Sequence, residues 1–158
     1  MLKYGNNYHF CASISVMAVK IFKAVWFFSV MAVLVALLYQ YASHPEQVVV
    51  GQGTINFISL TRDQFFYTSI AVIIIINVTV YIVRGRASKA DAFVAWYHGF
   101  IAVVNFFLII ALSFIALFNS SEKFNAADIG KIVFGSMFLL GAWILGGLLF
   151  FAVKRLSK

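Results

Sequence analysis

Four stretches of the chain, 24–42, 65–83, 93–118 and 132–153, contain no Lys, Arg, Asp or Glu. Crossing the hydrocarbon of a bilayer takes roughly 20 apolar residues at about 1.5 Å rise each. Each stretch meets that length, so the pattern predicts an all-α, four-transmembrane-helix bundle. The β-branched block Val72–Ile76 in the second stretch would favour a strand in water. In lipid, a lone strand leaves its backbone N–H and C=O groups unpaired, and a helix is expected instead.

The predicted organisation is one membrane domain over 1–158. It comprises an N-terminal cytoplasmic or interfacial segment (1–23), a first span (24–42), an outer loop (43–64), a second span (65–83) and a cytoplasmic loop (84–92). A third span (93–118), a second outer loop (119–131), a fourth span (132–153) and a cytoplasmic tail (154–158) complete it. A cleaved signal peptide fits the first stretch poorly, because its apolar run exceeds the roughly 7–15 residues of a signal core. The run Phe10–Val19 is too short to cross and is expected to lie at the interface. Met17-Ala18-Val19-Lys20 looks like an ordinary membrane-protein start, so residues 1–16 are expected to precede the start of translation or to form a mobile tail.

Charge then orients the bundle. Lys3, Lys20, Lys23, Arg84, Arg86, Lys89, Lys154, Arg155 and Lys158 fall on one side of the four spans; only Arg62, Lys123 and Lys131 fall on the other. Cytoplasmic loops collect Lys and Arg, which places both termini and the 84–92 loop in the cytoplasm of an inner or plasma membrane. Of these, Lys20, Lys23, Arg84, Arg86, Lys89, Lys154 and Arg155 flank the spans and are expected to meet lipid headgroups. The net charge of +7 is explained by this arrangement without nucleic acid. A composition 63% hydrophobic and 11% charged exceeds what a soluble domain of 158 residues can bury. Trp96, Tyr97, Tyr81 and Tyr39 lie near the predicted membrane edges, where amphipathic rings are favoured.

Within lipid, small residues and polar contacts hold helices together. In the fourth span Gly135, Ala142 and Gly146 fall within about 40° of one another at 100° per residue, Gly130 and Gly141 share a second stripe, and Gly147 adds another point of close approach. This helix is expected to pack through those residues inside its own chain or, failing that, against a second copy. In the third span His98, Ala102, Asn105, Ile109 and Ala116 share one face, with Ser113 at its margin. Asn77 and Asn105 lie at similar depth on oppositely directed helices, and are expected to face inward and hydrogen-bond, for about 0.6–2 kcal/mol.

Between the first two spans, Pro45 ends a helix, and the apolar runs Val48–Val50 and Thr54–Ile58 flank Gly51-Gln52-Gly53. This predicts a small hairpin, turning at those glycines, on the outer membrane surface. Thr61-Arg62-Asp63-Gln64 has the form of a capping box at the start of the next helix. Pro45, Glu46, Val48, Val50, Gly53, Phe57, Ile58 and Ser59 resemble, over about 25 residues, the N-terminal membrane module of SdpI-like immunity and signalling proteins. The resemblance implies an accessory or sensing membrane protein, protective against a membrane-active agent, and no enzyme.

Candidate chemistry is sparse. Cys11 is the sole cysteine, so it forms no internal disulfide; it reads as an ordinary small residue, with acylation as the alternative. His9 and His44 fall on opposite sides of the membrane, so the histidines build no common metal site. His98, one turn inside the cytoplasmic edge, reads as a hydrogen-bonded interfacial side chain rather than a pH sensor. Gly51-Gln52-Gly53 lacks the Lys-Ser/Thr of a phosphate loop. No catalytic, metal or cofactor site is expected. The leading reading is a non-catalytic protein whose partners are membrane lipids and a membrane protein or a second copy of itself. The alternative is a small transporter or channel component for a neutral solute lined by Asn77, Asn105 and His98; ion-coupled transport normally needs ionisable residues inside the membrane, and none lies well inside a span. An intramembrane enzyme would need a base beside its nucleophile at matching depth.

Overall fold

The computed structural model describes residues 5–52, 57–86, 91–120 and 126–156. Four long helices, α1 (Gly5–Ser43), α2 (Arg62–Arg86), α3 (Asp91–Phe118) and α4 (Ala126–Leu156), pack together, and an antiparallel hairpin of β1 (Gln47–Gln52) and β2 (Phe57–Thr61) sits between α1 and α2. Each helix holds an apolar segment long enough to cross a bilayer: Met17–Ser43, Arg62–Val83, Ala92–Phe118 and Gly130–Phe150. Phe28, Phe138 and Leu149 are each more than 65% exposed on the outside of the bundle. A surface of that kind calls for lipid as its solvent. The chain is a four-span membrane protein.

The helices extend beyond the spans expected from the sequence. α1 continues back to Gly5 as one helix through the region assigned to an interfacial segment or tail, and α4 starts six residues before Ile132. Charge-free runs mark only the hydrocarbon-crossing part of a helix, whereas backbone hydrogen bonding carries on into the headgroup region. Lys89 lies outside the described residues.

α1 and α3 run in the same direction and form the main helix contact, with α2 against both. On α1 the buried positions among the described side chains are Trp26, Val33, Leu37 and Gln40, and the same stripe, at three-, four- and seven-residue steps, runs on to His44 just past the helix end. At the hairpin end Val33 and Leu37 join Val48, Phe65, Ile73 and Leu112 in one apolar cluster; towards the other end Trp26 packs with Val80, Ile101 and Ala102. The hairpin is therefore seated on the bundle through Val48. An isolated two-stranded ribbon is marginal in water, and this anchor stabilises it.

The turn differs from the one expected. Gly51 pairs with Ile58 and Gln52 with Phe57, so both belong to the ladder, and the connection falls in 53–56, outside the described residues. Val49 faces Ser59 while Gly51 faces Ile58, which leaves Val50 as the extra residue of a bulge. Glycines between two β-branched runs mark a bulge as readily as a turn. At the start of α2 the Gln64 N–H donates to Thr61 Oγ1 and the Thr61 N–H to Gln64 Oε1, both at 3.2 Å, a reciprocal capping box.

Candidate functional site

Polar side chains in the middle of an apolar bundle must satisfy one another, because lipid offers neither donor nor acceptor. Asn77 of α2 and Asn105 of α3 face each other inside the bundle, each Nδ2 donating to the other's Oδ1 at 3.0 Å. The second N–H of Asn77 goes to the Ile73 carbonyl at 2.9 Å, and the second of Asn105 to Ser29 Oγ at 2.9 Å. Trp26 Nε1–H donates to Asn77 Oδ1 at 2.9 Å, and the Ser29 hydroxyl donates to the Trp26 carbonyl at 2.7 Å. Three helices thus share one closed network. Its four amide N–H bonds are all engaged, so it has no spare donor for a passing solute.

His98 lies above this knot, 3% exposed, with its ring edge-on to Trp26 at 5.7 Å. Its Nδ1 is 2.7 Å from the Val94 carbonyl, which selects the tautomer protonated at Nδ1. The Tyr97 hydroxyl donates to Thr79 Oγ1 at 2.8 Å. Tyr39 and Tyr81 are exposed.

The contact between α3 and α4 is built from two tryptophans and two glycines. The Trp96 indole covers Gly147, and the Trp143 indole covers Gly99. Each indole N–H points at the other tryptophan's carbonyl, at a long 3.4 Å in both directions. Trp143 also meets Phe22 of α1 edge-on at 5.9 Å. Gly135, Gly141 and Gly146 do not take part: a Cβ on any of them meets nothing within 4 Å, and Ala142 is exposed. The expectation that this stripe packs inside the chain is corrected accordingly. Stripe geometry shows which residues share a face but not which face meets α3, and Gly147 lies about 100° round the helix from Gly146. The antiparallel spacing Trp96-x-x-Gly99 against Trp143-x-x-x-Gly147 was the available signal, since residues three and four apart share a helix face.

Among the described helices the α4 backbone lies beside that of α3, and α4 reaches α1 through the Trp143 ring on Phe22. Its apolar window is 11% buried, against 22% for that of α3. Towards the hairpin end the two helices enclose an apolar cleft of about 560 Å³, lined by Val50, Phe107, Ala111, Phe114, Val133 and Phe134 among others. No match is found among family models, curated proteins or solved structures.

Two further features lie at the hairpin end. Asn119, just past α3, donates from Nδ2 to the Val49 carbonyl at 2.9 Å and accepts the Val49 N–H on Oδ1 at 2.7 Å. Its amide completes the open edge of β1 as another strand would. Beside it, a cavity of about 570 Å³ opens between the C-terminal ends of α1 and α3, with Gln40, Ser43, His44, Ser113, Asn119 and Ser120 as its polar lining. Sequence reading missed Asn119, because the partner of a lone loop asparagine depends on tertiary placement.

Of the predicted headgroup residues, Lys20 and Lys23 are exposed on α1; Arg84 and Arg86 close α2, and Lys154 and Arg155 stand in the last turn of α4. Among the described residues no three His, Cys, Asp or Glu side chains gather in a way that could hold a metal ion.

Proposed function

We propose that this chain is a non-catalytic accessory protein of a cytoplasmic membrane, with both termini inside, that acts by binding a second membrane protein or a second copy through α4. The observation that carries the reading is the lopsided burial of α4. It is fixed to α3 by the Trp96–Gly147 and Trp143–Gly99 contacts, and its Gly135, Ala142 and Gly146 stripe is left open, with no neighbour on the glycines among the described residues. Small residues on a lipid-facing helix let another backbone approach closely, which is the main source of helix association in membranes. A sensing or protective role follows from the resemblance of the hairpin region to SdpI-like proteins. The fully engaged amides of the central knot speak against a neutral-solute path through this monomer.

The test is affinity purification of the full chain from native membranes, with Gly135→Leu and Gly146→Leu as the perturbation. A stoichiometric partner or a homo-oligomer that is lost in both variants, while the thermal stability of the chain is kept, is expected. A wild-type monomer without companions, or assembly indifferent to both substitutions, would overturn the reading.

A further inference from the structure

The cavity at the hairpin end gathers two of the three buried side-chain polar atoms that lack a partner among the described residues; the third, Arg62 Nε, lies outside its lining. Two of its lining side chains, Gln40 and His44, are only 4% and 5% exposed, and each keeps a polar atom, Oε1 and Nε2, without a hydrogen-bond partner among the described residues. Buried polar groups are normally paired, because each unpaired one forfeits its hydration. Three polar neighbours in the lining are already engaged: Ser43 Oγ donates to the Gln40 carbonyl, Ser120 Oγ to the Leu117 carbonyl, and Asn119 to Val49 and Ile115. An unmet pair in one cavity, among satisfied neighbours, points to a ligand.

We propose that Gln40 and His44 form a binding site for a primary ammonium group in the cavity between the C-terminal ends of α1 and α3. An amide oxygen can only accept, so the group it awaits is a donor. The imidazole accepts at Nε2 when its proton sits on Nδ1, and burial holds this ring neutral by lowering its pKa below the ordinary value. α1 ends at Ser43 and α3 at Phe118, so two helix C-termini with their negative partial charge converge on the cavity. Among the described residues no Lys or Arg lines it to repel a cation. An R–NH₃⁺ group supplies three N–H donors, enough for Oε1, Nε2 and a serine oxygen. Ala36 and Ser113 place the inner wall within the spans, while Pro45 and Ser120 stand beyond them. The cavity therefore straddles the headgroup level, where the ammonium can belong to an ethanolamine phospholipid or to a free amine.

The test uses the full chain in detergent, with lipid retention read by native mass spectrometry and thermal shift as a second readout. Phosphatidylethanolamine is compared with phosphatidylcholine, whose trimethylated nitrogen has no N–H, and free ethanolamine forms a separate arm. Gln40→Leu is expected to weaken ammonium binding about tenfold, the scale of one charge-assisted hydrogen bond. Its own unfolding temperature should hold or rise, since it removes an unpaired buried oxygen. Gln40→Glu should bind at least as tightly as wild type. Preference for phosphatidylethanolamine assigns the site to a lipid headgroup, and Gln40-dependent stabilisation by ethanolamine alone assigns it to a soluble amine. If neither probe responds to Gln40→Leu, the cavity holds water only and the proposal is overturned.

Discussion

Gly146 and Gly147 are neighbours at the same depth in α4, and they predict opposite outcomes for the same substitution. A Cβ at Gly146 meets open space, whereas at Gly147 it runs into the Trp96 indole, with Cζ2 at 2.7 Å and two further ring atoms nearer still. Ordinary carbon contacts lie at about 3.5–4.0 Å, so the indole must move by roughly 1 Å. That shift strains the stacking of Trp96 on Phe100, whose rings lie 9° from parallel at 5.7 Å, and lengthens the Trp96 N–H contact to the Trp143 carbonyl. Overpacking of this kind costs about 1–3 kcal/mol. Both alanines gain a similar helix propensity, up to about 1 kcal/mol, so the difference between the variants isolates the clash. Thermal unfolding of purified Gly146→Ala and Gly147→Ala in one detergent should separate them by roughly 3–9 °C, with Gly147→Ala lower. Equal unfolding temperatures would refute the placement of Trp96 over Gly147.

The central knot predicts that Asn105→Leu, which strands donors and acceptors on Ser29 and Asn77, costs about 1–2 kcal/mol. Asn77→Leu/Asn105→Leu should cost less than the sum of the single changes in the same unfolding assay. Asn119→Ala should leave global unfolding nearly unchanged while hydrogen exchange at the Val49 amide quickens, because that N–H loses its acceptor. His44 predicts a pH dependence. Burial lowers its pKa in the folded state below the ordinary 6.5, so the unfolded chain binds the proton more readily and acid favours unfolding. Stability should be level above about pH 7 and fall as pH drops through 6.5, and His44→Phe should remove that fall.

Fold class was legible because four charge-free runs leave a chain few options besides spanning a bilayer. The capping box was legible for a similar reason: Thr61 and Gln64 interact across three residues, and local chemistry does not depend on the rest of the bundle. Asn77 and Asn105 could be matched by depth, since the short loop between α2 and α3 sets their distance from one membrane edge. Trp26 and Ser29, which complete that knot, were not legible, because nothing in α1 alone shows how it is rotated against α2 and α3. The same blindness to rotation put Gly135, Gly141 and Gly146 of α4 at a packed face, whereas Gly147, also expected to be a point of close approach, does lie under Trp96. Gln40 reads as an ordinary residue near a helix end until the cavity beside it is seen.

Side-by-side accessibility of the loops tests the four-span architecture most directly. In a Cys11→Ser background, single cysteines at Glu46, Ser88 and Ser157 would be probed in intact cells with a membrane-impermeant maleimide. Labelling is expected at Glu46→Cys in intact cells, and at Ser88→Cys and Ser157→Cys only after permeabilisation. Labelling of Glu46→Cys and Ser88→Cys from the same side would mean that α2 does not cross the membrane, and would contradict the account.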